Sequence, residues 1–317
     1  QLVAAIYPLP TPTCKVYWRD QTPIFVARRR EITILSQKIA FQGELGAYGH
    51  EACVTARPDF EPLPCTTFDS AVEAVRSGAA DLGMIAVENS TYGRVADVHS
   101  LLPKSGLHIV DETFVRVHVN LLGKPEATLN DIKEAHGHPV ILPQCGEFLR
   151  EHGITPRTSS DNARAAREVA GGDDLGVAAL ASELAADIYG LKVLARHIED
   201  HARNTTRFLI MAREADYTRR GETGMMTSFV FRVRNIPAAL YKAMGGFATN
   251  GVNMTKLESY MVDGHFTATQ FYSEIEGHPE DKNVQLALEE LGYFTDHLHV
   301  MGVYPAAARR YEQVSDD

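Results

Sequence analysis

The sequence lacks any long apolar run and any excess of positive charge. No stretch of 18 apolar residues occurs in its 317 residues, so the sequence predicts no transmembrane helix. Lysine and arginine total 31 against 41 aspartates and glutamates, a net charge of −10. Because a nucleic-acid-binding protein needs a basic face, we expect no nucleic-acid partner. An anionic ligand must instead be held by local cations and backbone amides.

Cysteine is scarce as well, and the four residues lie far apart: Cys14, Cys53, Cys65 and Cys145. No Cys-x-x-Cys pair occurs, which predicts reduced thiols in a cytoplasmic protein. His197 and His201 are spaced like a helical metal pair but lack the His-Glu-x-x-His order and an evident third ligand. We therefore expect no metal. No P-loop, Gly-x-Gly-x-x-Gly or Gly-x-Ser-x-Gly motif is present, so neither a nucleotide cofactor nor a nucleophilic hydrolase is predicted.

The first 37 residues differ in composition from the rest. They contain three prolines close together, the only tryptophan and a basic triplet at 28–30. The apolar stretch 2–6 is too short for the core of a signal peptide. We interpret residues 1–37 as an extension of uncertain structure.

The pattern from Lys38 onward is typical of α/β proteins. A short apolar strand begins there, and a loop with Gly43 and Gly46 leads into a helical stretch, where free amides favour an anion. Further on, helical spacing runs from Phe68 to Val75 and ends at Gly78.

The apolar run LGMIAV follows this helix and predicts a buried parallel strand. The strand ends in four polar residues, 88–91, before a new helix near Val95. Polar residues at the carboxyl end of a buried strand are where open α/β sheets bind ligands. We therefore expect a ligand site at this edge.

A similar arrangement occurs twice in the chain. The sequence Asp-Leu-Gly stands before a small apolar strand and a helix at 81–83 and again at 174–176. This echo fits two similar α/β lobes with a cleft between them. Residues 136–154 would open a helix of the second lobe, with Gln144 near its start.

From Gly221 the pattern changes to β-α-β-β-α-β, the ferredoxin-like order. The helix after the first strand has Pro237 at its first turn and Gly251 after its end. Asp-Gly at 263–264 predicts a hairpin. Residues 216–226 read as a linker.

Four motifs resemble those of the prephenate dehydratase family: FQGELGAYGHEA, IAVENSTYGRVADV, GHPVILPQC and TTRFLIM. The C-terminal part resembles the ACT regulatory domain, which binds phenylalanine. The resemblance implies a catalytic domain at 38–215, built from two α/β lobes of the periplasmic binding-protein type. A linker at 216–226, an ACT domain at 227–305 and a tail at 306–317 follow.

The family reaction removes water and carbon dioxide from prephenate to give phenylpyruvate, a step in phenylalanine biosynthesis that needs no cofactor. By resemblance, the catalytic residues are Thr206, Arg207, Asn89, Gln144 and Glu88. Further substrate-binding residues implied in the same way are Thr205, Ser90, Thr91, Phe208, Gly43 and His138.

The resemblance gives Thr206 the role of supplying a hydroxyl to the leaving group. Arg207 either pairs with a substrate carboxylate through its planar fork or faces away and is structural. Glu88 either orients Thr206 or Asn89, or is an acid with a raised pKa. Phe208 is expected to pack behind the site. The polar residues beside predicted helix starts have capping as their alternative role.

The ACT resemblance implies an effector site for L-phenylalanine between the ACT domains of two subunits in a homodimer or homotetramer. Its residues would be Ala238, Ala239, Leu240, Asn253, Met254, Leu257, Glu258 and Ser259. Tyr260 and Met261 stand where the family has arginine and proline, which puts the strength of phenylalanine binding in question.

Two alternatives remain open from the sequence. Arogenate dehydratase has the same fold, and its substrate differs from prephenate by an amino group on the side chain. A non-catalytic amino-acid sensor would combine the same lobes and ACT domain without turnover.

Overall fold

The computed structural model describes residues 15–19, 22–26, 36–201, 203–221, 224–234, 236–261 and 268–311. The chain divides between Ser36 and Gln37 into two parts. In the first part, strands β1 (Lys15–Arg19) and β2 (Thr22–Val26) form an antiparallel pair. Among the described residues, none of the helices has the length and apolar character of a membrane-spanning segment.

The part of the chain from Gln37 onward begins with the strands and helices of a first lobe. In chain order these are β3 (Lys38–Gln42), α1 (Tyr48–Ala56), β4 (Glu61–Cys65), α2 (Phe68–Arg76), β5 (Leu82–Asn89), β6 (Gly93–Arg94), α3 (Ala96–Leu101) and β7 (His108–Arg116). A second lobe follows with β8 (Asn120–Gly123), β9 (Glu134–Gly137), α4 (Gly146–Glu151), β10 (Thr155–Thr158), α5 (Asn162–Gly171), β11 (Val177–Ala181), α6 (Glu183–Tyr189) and β12 (Lys192–Ala195).

The chain then returns to the first lobe with β13 (Thr205–Ala212). The C-terminal unit consists of β14 (Met225–Val233), α7 (Ala239–Thr249), β15 (Met254–Met261), β16 (Ala268–Glu276), α8 (Lys282–Phe294) and β17 (Thr295–Pro305). Short 3₁₀ turns lie at Leu102–Lys104, Leu129–Asp131, Leu142–Cys145 and Ala308–Arg310.

Two sheets define the two lobes. The second lobe has the strand order β10-β9-β11-β8-β12, and the larger sheet runs β15-β16-β14-β17-β7-β13-β5-β3-β4, with β6 paired to β5. In the described residues the chain crosses between the lobes at only two places, 117–119 and 196–204. Residues of both lobes line a cleft between them. This confirms the predicted α/β fold with two lobes of the periplasmic binding-protein type.

The repeated Asp-Leu-Gly segments lead into equivalent strands. β5 is parallel to β3 and antiparallel to β13, and β11 is parallel to β9 and antiparallel to β8. The prediction of a parallel environment for LGMIAV is therefore wrong on one side. The reason is the crossing back from the second lobe, which adds β13 to the sheet in the opposite direction.

Local signals placed the helix ends well, with one exception. α2 begins after Thr67, whose hydroxyl accepts from Ser70 N–H in a capping box. α7 begins later than predicted, because Ala238 takes a left-handed conformation (φ 63°) and Pro237 therefore lies outside the helix. Gly251 after this helix has φ 64°, as a left-handed C-terminal residue requires.

The C-terminal unit has the ferredoxin-like order β15-β16-β14-β17, as predicted. Its core contains Phe229, Phe231 and Phe247, and the predicted hairpin turn at 263–264 lies outside the described residues. This unit joins the first lobe where Gly302 of β17 pairs with Ile109 of β7. A Cβ at Gly302 would clash with the Ile109 carbonyl oxygen, so the junction requires glycine.

Candidate active site

A cavity of about 740 Å³ lies between the lobes. Its polar lining residues include Gln42, Thr66, Thr67, Asp69, Asn89, Arg94 and Thr206 in the first lobe and His138, Gln144 and Asn162 in the second. Apolar side chains complete the wall, among them Phe68, Leu101, Val140 and Ile141. The size and lining are those of a site for a small polar molecule with an apolar body.

Strand pairing brings two of the predicted catalytic residues of the first lobe together. Asn89 ends β5 and Thr206 stands near the start of β13, and the two residues are direct partners in the antiparallel register. Both side chains line the cavity.

The Asn89 side chain is held in one orientation. Its Oδ1 accepts from the N–H groups of Thr91 and Tyr92, both at 2.9 Å, so its Nδ2 must face the other way. That Nδ2 donates to Thr206 Oγ1 at 3.0 Å and to Asn204 Oδ1 at 2.6 Å.

The chain of amides continues into the second lobe. Asn204 Nδ2 donates to Gln144 Oε1 at 2.5 Å, and Gln144 Nε2 donates to the Val140 carbonyl at 2.7 Å. In each amide the oxygen accepts and the nitrogen donates, so these side chains form a hydrogen-bonded chain of neutral groups that connects the two sides of the cleft.

This chain determines what the Thr206 hydroxyl can do. Because its oxygen accepts from Asn89, its own proton points elsewhere. In the part of the chain that the structure describes, no protein acceptor takes this proton. Thr206 is therefore a hydrogen-bond donor with its proton available to a molecule in the cavity.

His138 adds a second donor from the other lobe. Its Nδ1 accepts from Val140 N–H at 3.2 Å, so the neutral ring carries its proton on Nε2. Burial lowers the pKa of His138, although the nearby Asp161 opposes this shift. The neutral form is thereby favoured.

Arg207 lies on the other face of β13, because neighbouring residues of a strand point to opposite sides. Its guanidinium contacts Glu112 at 2.8 Å, Glu88 at 2.9 Å and Glu274 at 2.8 Å, and the side chain is only 4% exposed. Tyr304 Oη accepts a further hydrogen bond at 3.1 Å. The guanidinium therefore faces these carboxylates and does not line the cavity. This geometry supports the structural alternative for Arg207 and argues against its pairing with a substrate carboxylate.

Glu88 belongs to the same charged cluster. Its carboxylate contacts Arg207 and also Lys256 of β15. Burial raises the pKa of Glu88, but the two cations outweigh burial and hold the pKa below its usual value. The alternative of an acid with a raised pKa is therefore wrong, and the group is an ionised partner of two cations.

The other predicted residues hold the elements of the site in place and do not line the cavity. Ser90 Oγ accepts from Thr205 N–H at 2.9 Å and donates to the Arg203 carbonyl at 2.7 Å. Phe208 is 3% exposed and packs in the core behind the site, as expected. Gly43 has φ 124°, and its N–H donates to the Cys65 carbonyl at 2.8 Å, so this amide is not free for a ligand.

Asn204 is a site residue that sequence reasoning missed. It is 1% exposed and links Asn89 to Gln144. It stands two positions before Thr206, so strand alternation alone would have placed the two side chains on one face.

The residues predicted to bind an effector lie on β15 and around α7. Leu257 is 41% exposed, whereas Glu258 faces the first lobe, with its Oε2 3.1 Å from Arg94 Nη1. Asn253 Nδ2 donates to Glu276 at 3.0 Å. Ser259 is exposed and Met254 half-buried on the same strand, while Ala238, Ala239 and Leu240 form the start of α7.

Two α/β lobes around a cleft lined mainly by neutral hydrogen-bonding groups define a small-molecule enzyme or binding protein. Comparison with known proteins resolves the class. The model of the prephenate dehydratase family matches residues 39–216, and the chain belongs to this family of lyases in aromatic amino-acid biosynthesis.

Three relatives illustrate the range of the family. A bifunctional N-acyl-homoserine lactone acylase/prephenate dehydratase of Komagataeibacter europaeus is 48% identical over 86% of this chain and 97% of its own length. An arogenate dehydratase/prephenate dehydratase of Arabidopsis thaliana is 36% identical over 84% of this chain and 72% of its own. A solved structure, prephenate dehydratase of Arthrobacter aurescens in complex with L-Phe, is 30% identical, has a TM-score of 0.78 and matches over 85% of this chain and 90% of its own.

Proposed function

We propose that this protein converts prephenate to phenylpyruvate. The observation that carries the proposal is the Thr206 hydroxyl, which accepts from Asn89 and keeps its proton for a ligand in the cleft. Prephenate carries two carboxylates and a ring hydroxyl. Loss of carbon dioxide and of hydroxide makes its ring aromatic, so the driving force lies in the substrate.

The protein's task is then to help hydroxide leave and to hold the ring carboxylate ready to fragment. Thr206 donates to the departing hydroxyl, and the Asn89 amide supports Thr206 from behind. A threonine is a weak acid, so its contribution is a hydrogen bond or one step of a proton relay. His138, with its proton on Nε2, is a second donor to the reacting end of the substrate.

We also propose that L-phenylalanine regulates the enzyme through the C-terminal unit, as an ACT domain would. Supporting this proposal are the ferredoxin-like topology, the family relative solved with L-Phe and the exposed residues Leu257 and Ser259 on the edge strand β15. An effector shared by two subunits would couple binding to their arrangement in a homodimer or homotetramer.

The experiment is phenylpyruvate formation by the purified protein given prephenate, with and without phenylalanine. Turnover that phenylalanine suppresses supports both proposals. Turnover that phenylalanine leaves unchanged supports the enzyme and contradicts the regulation. A folded protein that binds phenylalanine and converts neither prephenate nor arogenate would be an amino-acid sensor, which contradicts the enzymatic proposal.

Arogenate is the competing substrate, because the plant relative carries both activities in its name. The two compounds differ at one position, an amino group in arogenate and a keto group in prephenate. The ratio of kcat/KM for the two compounds decides between them, and we expect it to favour prephenate.

An acylase activity is a second candidate, favoured by the relative at 48% identity that bears this activity in its name. Phe68, Leu101, Val140 and Ile141 offer an apolar wall for an acyl chain. Release of free homoserine lactone from an N-acyl-homoserine lactone tests it. Absence of release from a protein active on prephenate would exclude it.

A further inference from the structure

The charge balance of the cleft is unusual for a site that takes a dianion. Among the residues lining the cavity, Arg94 is the only cation and Asp69 the only carboxylate. The remaining polar groups are neutral amides, hydroxyls and imidazole. Because Arg207 is engaged in the charged cluster, only the Arg94 guanidinium in the cavity lining can pair with a carboxylate of such a substrate.

Backbone geometry sets Arg94 beside the catalytic residues. Gly93 has φ 89°, which turns the chain back after β5. The two-residue strand β6 then pairs Gly93 with Asn89 and Arg94 with Glu88. This fold-back sets Arg94 on the wall that also carries Asn89 and Thr206.

The guanidinium is held but not saturated. Arg94 Nη1 contacts Glu258 Oε2 at 3.1 Å, and the side chain is 47% exposed. One nitrogen is engaged by this pair, and a guanidinium has five N–H donors in a planar fork suited to a carboxylate.

Glu258 has a second cation at hand. Lys256 Nζ lies 3.9 Å from Glu258 Oε1 and also contacts Glu88. If Arg94 turned to a ligand, Glu258 would keep a positive partner. The exchange of one carboxylate for another therefore leaves no isolated charge on either side.

We propose that Arg94 is the residue that binds a carboxylate of the substrate, and that Glu258 of β15 competes with the substrate for its guanidinium. The proposal rests on the proposed dehydratase function of the same cleft. It assigns Arg94 to substrate binding and makes a residue of the C-terminal unit a direct rival of the substrate. No effector is needed for this competition, so it acts in the free enzyme.

The test measures kcat and KM for prephenate in the full chain, without phenylalanine, for Arg94→Gln, Arg94→Lys and Glu258→Gln. Arg94→Gln should raise KM by about 10–100-fold, the size of a lost charge-assisted hydrogen bond, with a smaller change in kcat. Arg94→Lys, which keeps the charge but not the fork, should restore part of this loss. Glu258→Gln should lower KM, because the competing charge is gone.

Arg157→Gln on the exposed strand β10 removes a comparable surface arginine, paired with Glu134 at 2.7 Å, and should leave KM at the wild-type value. A wild-type KM for Arg94→Gln would overturn the assignment of Arg94. A KM for Glu258→Gln at or above the wild-type value would overturn the competition. Failure of the wild-type protein to convert prephenate would instead overturn the proposed function, and this inference with it.

Discussion

The two faces of β13 use opposite kinds of chemistry. On one face Thr206 is part of a chain of neutral groups through Asn89, Asn204 and Gln144. On the other face, one residue further along, Arg207 is surrounded by carboxylates. The comparison shows that adjacency in a conspicuous motif does not imply a shared role.

The neutral face leaves the Thr206 hydroxyl as a donor for a ligand, whereas the charged groups of the other face pair with one another. Arg207 and Arg310 share Glu112 and Glu274, whose side chains are 0% and 1% exposed. These residues come from the first lobe, the C-terminal unit and the segment after it. The cluster therefore ties together parts of the chain that lie far apart in sequence.

The largest effect is expected from removing the free donor. Thr206→Val keeps the shape of the side chain but loses the hydroxyl, so kcat should fall by about 10²–10⁴-fold, the usual range for a proton donor to a reacting group. Phenylpyruvate formation at saturating prephenate measures this effect, with the urea unfolding midpoint as a check on folding.

Two variants sharpen the result for Thr206. Thr206→Ser retains a hydroxyl and should retain most of the turnover. Thr158→Val makes the same substitution at an exposed position of β10 and should change neither turnover nor unfolding. Full activity in Thr206→Val would remove Thr206 from the mechanism.

The next effect concerns stability. Arg207→Met removes the buried guanidinium that Glu88, Glu112 and Glu274 share and leaves only Arg310 beside the buried Glu112 and Glu274. This should lower the free energy of unfolding by about 3–5 kcal/mol. The surface pair of Arg157, whose side chain is 56% exposed, provides the matched comparison: Arg157→Met should cost less than about 1 kcal/mol. Urea unfolding at 25 °C compares the two, and equal losses would show that the cluster is not a special source of stability.

A smaller effect should follow from breaking the amide chain. Asn204→Ala leaves Asn89 and Gln144 without their common partner. We expect kcat to fall by about 10-fold, because misplaced groups near the chemistry cost catalysis. Asn250→Ala, which removes hydrogen bonds at the end of α7 instead, is the control for a loss of stability alone. A kcat equal to that of Asn250→Ala would show that the chain does not position Thr206.

The smallest effect is a dependence of stability on pH. Burial raises the pKa of Glu274, but Arg207 and Arg310 outweigh it and lower the pKa from 4.5 to about 2. Since the folded pKa is depressed, this stabilisation is present above pH 4.5 and is lost as the pH falls towards 2. Unfolding free energies between pH 6 and pH 3 should therefore fall less steeply for Glu274→Gln than for the wild type, and parallel curves would contradict this.

Local signals were enough for much of the fold and part of the site. The helical spacing from Phe68 to Val75 and the stop at Gly78 predicted α2, and the polar end of β5 pointed to the cleft. The environment of Arg207 was beyond such signals. Its partners at 88, 112 and 274 come from separate segments, and only the assembled sheet shows which face of β13 they share.

The most direct test compares kcat per folded molecule for Thr206→Val and Arg207→Met. Both variants are assayed with prephenate under conditions in which each is shown to be folded. The account predicts a crossed result. Thr206→Val should keep its stability and lose turnover, while Arg207→Met should lose stability and keep turnover of the wild-type order. Folded Arg207→Met with turnover as low as that of Thr206→Val would contradict the account and make Arg207 part of the catalytic machinery.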